Sequence, residues 1–225
     1  MGEHVPFRGV RKVIADRMRQ SLRGTAQISY HGMADVTAIM ALGRGWKEAG
    51  HKVGLQDCLL AALATSLKRH PLLNGTCDEV GYAPAEEVRI ALALTSPGGL
   101  VTPVLPALEA LGLDGVAEAR RAMVARAQAG LLKVGDFRGG TFTLSNLGLT
   151  AVQYFTPILN APQIAILGLG RIAPTLALSE AGEPIGRQML PLSLTADHRV
   201  VDGDPAGRFL TDLIETLEAT DWRQG

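Results

Sequence analysis

The stretch Asp197-His198-Arg199-Val200-Val201-Asp202-Gly203 holds the residues of this chain best equipped for chemistry. His198 follows an apolar run, Met189–Leu194, that reads as a buried strand. A neutral imidazole held at a strand end can take a proton from a substrate that reaches it, because its ordinary pKa of about 6.5 lies near working pH. Asp202 stands four residues on, before Gly203 and an amphipathic tail helix. It could cap that helix or pair with Arg199, and Arg199 reads as an ion-pair anchor for the turn. A lone histidine is commonly structural, so the local pattern leaves both roles open. His4, His31, His51 and His70 have no comparable surroundings. His70 precedes Pro71 and reads as a helix end, where an imidazole suits the dipole.

Other chemistry is excluded by pattern. Gly168-Leu169-Gly170 follows a strand but lacks the third glycine and the helix of a phosphate loop, and Pro174 comes soon after. There is no Walker motif, no HExxH and no GxSxG. Ser145, in Thr143-Leu144-Ser145-Asn146-Leu147-Gly148, sits at a strand end and not in a nucleophile elbow. The 22 basic residues balance 22 acidic ones and are scattered, and aromatics are scarce, which argues against a nucleic-acid partner. No apolar run approaches the roughly 20 residues of a membrane span, and no signal-peptide pattern opens the chain. Two cysteines, Cys58 and Cys77, make neither a disulfide framework nor a metal set, and a reducing, cytoplasmic setting is expected.

These residues need elements to hold them. With 225 residues the chain can bury a sizeable core, and it carries no repeat or low-complexity linker. A single domain over 1–225 is expected. The apolar spacing predicts a first helix from Arg8 to Arg23, with Val10, Val13, Ile14, Met18 and Leu22 on one stripe. A strand at Ile28–Ala34 and a helix capped near Asp35 or Thr37 follow. A third helix from Gln56 or Asp57 to Pro71 is apolar all round and therefore buried on several sides. Val88–Thr95 and Leu100–Leu105, joined by Ser96-Pro97-Gly98-Gly99, should pair as a hairpin over a type II turn. Then come a helix at Leu113–Gly130, strands at Gly140–Ser145, Ile164–Leu169 and Met189–Thr195, and a last helix from Asp204 to Leu217. The mixed order predicts an α/β fold, a mixed central sheet covered by helices, and not a doubly wound nucleotide-binding fold.

Several segments, in order, resemble the catalytic domain of the dihydrolipoamide acyltransferases of 2-oxo acid dehydrogenase complexes. Gly9-Val10-Arg11-Lys12-Val13-Ile14-Ala15-Asp16-Arg17-Met18 is similar to the family's RKxIAxxM helix, and Leu72-Leu73-Asn74 to its P-x-LN turn. VRIALALTSPGGLVTPVL resembles its paired core strands. GGTFTLSNLG and FTPILNAPQIAILGLG resemble the block that leads to DHRVVDG, the active-site signature. The resemblance implies the CoA-dependent acyltransferase fold shared with chloramphenicol acetyltransferase. It implies that His198 is the general base, that Ser145 donates to the oxyanion, and that Asp202, a position where relatives can hold asparagine, organises the turn. It further implies a homotrimer with its active site across a subunit boundary, leaving a larger cage open. Coenzyme A would be co-substrate, and no metal is needed. The lipoyl group would come on a separate domain or chain, because this chain shows no lipoyl or peripheral-subunit-binding segment. Decarboxylase and dihydrolipoamide dehydrogenase components would be partners. Phe155-Thr156-Pro157-Ile158-Leu159 is a candidate for the trimer surface, and Ala219–Gly225 lacks the leucine-rich tail of many relatives.

The chemistry so implied is reversible acyl transfer between dihydrolipoamide and coenzyme A. A thiol near pKa 8.5 losing its proton to a histidine near 6.5 is uphill by roughly 2.7 kcal/mol, a gap a positioned base can bridge. The larger demand is the tetrahedral oxyanion, where one donor is worth about 2.7–4 kcal/mol. A free-standing O-acetyltransferase of the chloramphenicol type, or a non-catalytic scaffold, are the competing readings.

Overall fold

A computed structural model describes residues 2, 4–97, 99–219 and 221–222. The chain runs α1 (Gly9–Gly24), β1 (Gln27–Asp35), α2 (Thr37–Glu48), α3 (Leu55–Arg69), β2 (Gly75–Cys77), β3 (Tyr82–Pro84), β4 (Ile90–Ser96) and β5 (Gly99–Val101). It continues with α4 (Leu113–Gln128), β6 (Phe142–Asn146), β7 (Ala165–Leu169), β8 (Ala173–Leu178), β9 (Pro184–Asp197) and α5 (Gly203–Ala219). The main sheet has the order β1-β9-β7-β6-β4-β5, with β8 on the first half of β9, and β2 and β3 form a separate small ribbon. β6 runs parallel to β4 and β7, while β9 is antiparallel to β1, β7 and β8. This is the expected mixed sheet.

The two faces of the sheet differ in chemistry. On one, Leu92, Leu144, Leu167 and Leu194 stand side by side in register and are buried under the helices. α3 supplies Leu59, Leu60, Leu63 and Leu67 to that core, all buried, which accounts for its all-round apolarity. Its fully buried Asp57 pairs with Arg120 of α4 at 2.5 Å and accepts from Gly54 N–H. A charge so deeply placed is tolerated because it is both paired and hydrogen-bonded. The other face carries hydroxyls: Thr143 and Ser145 on β6, Ser193 and Thr195 on β9, Ser29 on β1. Strand alternation assigns the two sets to opposite sides.

Three expectations need revision. The α1 stripe does not face a core within the chain: Val10, Val13 and Leu22 are each more than half exposed, and Ser21 is the helix's buried residue. The second hairpin arm is thinned, because Pro103 has no N–H to give; its carbonyl still accepts from Leu92 N–H, and Leu105 N–H donates to Ile90 O in the same register. The segment offered as trimer surface is in part internal: Pro157 and Leu159 are buried, Phe155 and Ile158 partly buried, and Thr156 exposed. The type II turn falls on Gly98, outside the described residues, as does part of the tail, Thr220 and 223–225. Within the described tail Trp222 is buried, and its Nε1 donates to Leu217 O.

Candidate active site

β9 is the element that delivers His198. The ladder with β1 runs from Asp35↔Met189 to Gln27↔Asp197, and His198 N–H continues it by donating to Ala26 O at 2.8 Å. The chain then turns, with Val200 and Val201 N–H both donating to Asp197 O. Asp197 organises this turn with its side chain as well. Its buried carboxylate accepts from Arg199 Nε and Nη2, at 3.0 and 2.6 Å, from Arg199 N–H and from Ala26 N–H. Burial pushes that carboxyl up, but the hydrogen bonds and the guanidinium outweigh it and hold the pKa below the ordinary aspartate value. Arg199 also reaches Asp78 O and Cys77 Sγ, tying the β2 turn to the histidine turn. Arg199 is thus the anchor expected of it.

His198 itself is partly exposed, and its Nδ1 lies 3.6 Å from Asp202 Oδ1. That leaves Nε2 without a partner among the described residues. The Asp202 carboxylate is 83% exposed and caps nothing; the α5 start is closed by its backbone, Ala206 N–H donating to Asp202 O. The organising hydrogen bonds therefore belong to Asp197, which local reasoning passed over although an Asx side chain two residues before an N–H is a known turn-former.

Ser145 is half-buried near the end of β6. Its register partners are Ala93 on β4 and Gly168 on β7, and Gly168 pairs in turn with Ser193 on β9. Gly168 is glycine for a packing reason: a Cβ there would come within 2.6 Å of the Phe155 ring. A Cβ at Gly170 would stand 1.7 Å from Gln153 O. The glycine pair thus lets the loop after Ser145 lie on the sheet.

The histidine and the serine are not brought together within the chain. His198 is five residues past the Ser193 row, about 16 Å along the strands, and two strands sideways, about 10 Å. Their backbone positions lie roughly 19 Å apart by these spacings. Asp202 and His198 do meet.

Beside the histidine turn lies a cavity of about 620 Å³, lined among others by Met18, Ala91, Val104, Phe137, Asn160 and Gln163, with Arg199 at one side. Two of its lining residues, Asn160 and Gln163, meet at the buried Thr143, a polar trio that the sequence did not single out. Asn160 Nδ2 donates to Thr143 Oγ1 at 3.2 Å, and Thr143 Oγ1 donates to Gln163 Oε1. No helix of the described residues is long and apolar enough to cross a membrane.

Comparison with known proteins identifies the family and the fold. The family model for 2-oxoacid dehydrogenases acyltransferase (catalytic domain) matches residues 2–222. The chain is 35% identical, over 96% of its length, to the dihydrolipoyllysine-residue acetyltransferase component of the acetoin cleaving system of Bacillus subtilis, covering 55% of that protein. It is 33% identical to a probable dihydrolipoyllysine-residue succinyltransferase component of the 2-oxoglutarate dehydrogenase complex of Schizosaccharomyces pombe, covering 96% of itself and 50% of that relative. The chain spans about half the length of the curated relatives it matches. Among solved structures, dihydrolipoamide acetyltransferase of Azotobacter vinelandii superposes with a TM-score of 0.90 at 29% identity, covering 100% of this chain and 93% of that one. Chloramphenicol acetyltransferase, at 17% identity, TM-score 0.58 and coverage of 97% and 100%, shares the fold. The chain belongs to the 2-oxoacid dehydrogenase acyltransferase family, and its mixed sheet is that family's catalytic domain.

Proposed function

We propose that this domain transfers an acyl group between a dihydrolipoyl thiol and coenzyme A, in an active site that two copies of the chain complete together. The observation that carries the reading is the register: Ser145 and His198 stand at opposite ends of the sheet, too far apart to act on one carbonyl. In a closed head-to-tail ring every interface is heterologous, so the histidine end of one copy can face the serine end of the next. A homotrimer is the smallest closed ring with heterologous interfaces. The Azotobacter vinelandii enzyme has a serine, a histidine and, four residues after it, an asparagine with roles in its mechanism. Ser145, His198 and Asp202 stand in the same order here, with the same four-residue step from His198.

His198 Nε2, free of protein partners, accepts the proton of the attacking thiol. The sulfur forms a bond to the thioester carbon, and the carbonyl oxygen becomes an oxyanion that accepts from Ser145 Oγ of the neighbouring copy. The intermediate collapses by breaking the original C–S bond, and the departing thiolate takes the proton back from the imidazolium. Asp202 Oδ1, 3.6 Å from Nδ1, faces the side of the ring away from Nε2. The lipoyl group comes from a separate domain or chain, and the decarboxylase and dihydrolipoamide dehydrogenase components supply and reset it. Free thiols at Cys58 and Cys77 suit the cytoplasm.

The test is complementation. His198→Ala and Ser145→Ala chains, each inactive, are unfolded together in equal amounts and refolded. Random assembly of a closed ring makes about one site in four intact. Acetyl transfer from acetyl-CoA to dihydrolipoamide should then rise well above either parent. Activity that only averages the parents overturns the shared site.

A further inference from the structure

The sheet register fixes what stands on either side of the Ser145 side chain. On β4 its partner is Ala93, half-buried. On β7 it is Gly168, where a Cβ would come within 2.6 Å of the Phe155 ring. Register partners project to one face, about 5 Å apart sideways, so Ser145 stands between a methyl group and an aromatic ring. Two residues back along β6, the Thr143 hydroxyl is occupied by Gln163 and Asn160. The surroundings are uncharged. Residues 90–108 and 139–170 supply β4, β5, β6, β7 and the Phe155 loop, and neither stretch holds an Asp, Glu, Lys, Arg or His. The row's own ionisable residue is His31 on β1, three strands from Ser145 or about 14 Å, with its ring on Tyr154 and its Nδ1 on Ser193 Oγ. Arg89 lies four residues back from Ala93 and Arg171 three beyond Gly168, each roughly 10 Å or more from the row at the backbone. On the histidine side of a neighbouring copy, Arg199 is held by Asp197, and Arg17 lines the cavity from the exposed α1.

An acyl group whose carbonyl oxygen sits on Ser145 Oγ has its chain among these neighbours. A succinyl group sets its carboxylate three carbon–carbon bonds from the reacting carbonyl, about 4 Å, which falls short of His31, Arg89 and Arg171. Taking an ionised carboxylate out of water with no cation to pair it is strongly disfavoured, whereas an alkyl chain gains by leaving water. We propose that the acyl group carried by this domain is short and uncharged, that its alkyl end lodges between the Phe155 ring and Ala93, and that Ala93 limits its size. The inference rests on the acyltransferase reading above and goes on from it by naming the class of acyl group. Ala93 and Phe155 are then specificity residues, with no part in proton transfer.

The experiment is a turnover panel on the full chain, with acetyl-, propionyl-, isobutyryl- and succinyl-CoA each offered to dihydrolipoamide. In the wild type, kcat/KM for succinyl-CoA should lie about tenfold or more below that of the best neutral thioester. Ala93→Val suits a strand backbone and fills the space beside Ser145. It should lower kcat/KM for the largest neutral thioester that the wild type accepts by about tenfold or more, the usual effect of misfitting a methylene. The Kd of free coenzyme A, which has no acyl chain, should stay within about twofold. Circular dichroism checks the fold of the variant, and the wild-type panel decides the charge of the acyl group whether or not the variant folds. Succinyl transfer within tenfold of the best neutral thioester, or an unchanged panel in folded Ala93→Val, would overturn the proposal. If no thioester is turned over, the acyltransferase reading fails, and the thioesters, then not consumed by the protein, become calorimetric probes. Acetyl-CoA binding at least tenfold tighter than succinyl-CoA would still support the uncharged pocket, and any smaller preference would overturn it.

Discussion

At the turn after β9 the side-chain hydrogen bonds converge on Asp197, and the carboxylate of Asp202 touches only the histidine ring among the described residues. The two acids therefore answer differently to substitution. Asp202→Asn and Asp202→Ala should both melt within about 2 °C of the wild type, since surface changes are usually worth under 0.5 kcal/mol. Any effect of theirs belongs in kcat. Asp197→Ala strands the N–H groups of Ala26 and Arg199 and should cost about 1–3 kcal/mol. Scanning calorimetry distinguishes the pair. His198→Ala should keep the fold and lose 10²-fold or more in kcat, the usual loss of a general base; a rate within a few-fold of wild type would refute its role. Asp197 also sets an acid limit. Its folded pKa lies below the unfolded value of about 3.9, so its stabilisation is present above that value and is lost as pH falls through the folded pKa. Between about pH 4 and more acid conditions the melting temperature should fall more steeply for wild type than for Asp197→Asn. His198 was legible as a candidate because it follows an apolar strand. Asp197 was only half legible: its bonds to Arg199 are local, but Ala26 N–H and the β2 turn that Arg199 reaches are distant in sequence.

Among the elements, those with a strong period were readable and those without were not. α3, α4, α5, β1, β6 and β7 fall within a few residues of expectation because each carries a regular apolar pattern that packs into the core. β8 was missed, and β9 was predicted at half its length, because their shared hairpin is an edge. Leu176 and Leu178 face outward at 80% and 73% exposure, and Pro174 sits where no central strand would admit it. The β2–β3 ribbon, three residues to a strand, gives too little periodicity to detect. Between β6 and β7 the fit is tightest. Gly168→Ala would drive a methyl into the Phe155 ring, and Gly170→Ala would drive one into the Gln153 carbonyl. The ring can shift and the carbonyl cannot do so without moving backbone. Gly170→Ala should therefore be the more destabilising of the two, by about 1–3 kcal/mol or more. Equal melting temperatures for the two variants would contradict that packing. Gly168→Ala, in register with Ser145, should instead show mainly as lost turnover.

For the whole molecule, what the sequence could not say is which apolar residues are buried by the chain itself. Periodicity reported a stripe on α1 but not its destination, and Val10, Val13 and Leu22 prove to be exposed in the single chain. Conversely Phe155–Leu159 looked like spare surface, and Pro157 and Leu159 of it are buried within the chain. An exposed apolar helix face of this kind marks an interaction surface. Replacing Val10 and Val13 together by glutamate should shift sedimentation from trimer toward monomer while helix content is unchanged. A trimer of undiminished affinity would place the contact elsewhere.

The five-residue offset between the Ser145 row and His198 also has a kinetic consequence. If neither copy alone holds a working site, turnover per chain is governed by mass action and not by the chain's own constants. Specific activity should be flat at high protein concentration and decline on dilution toward the dissociation constant of the ring. Premixed substrates should slow that decline, because a ligand spanning the interface binds the assembled form and not the separated chains.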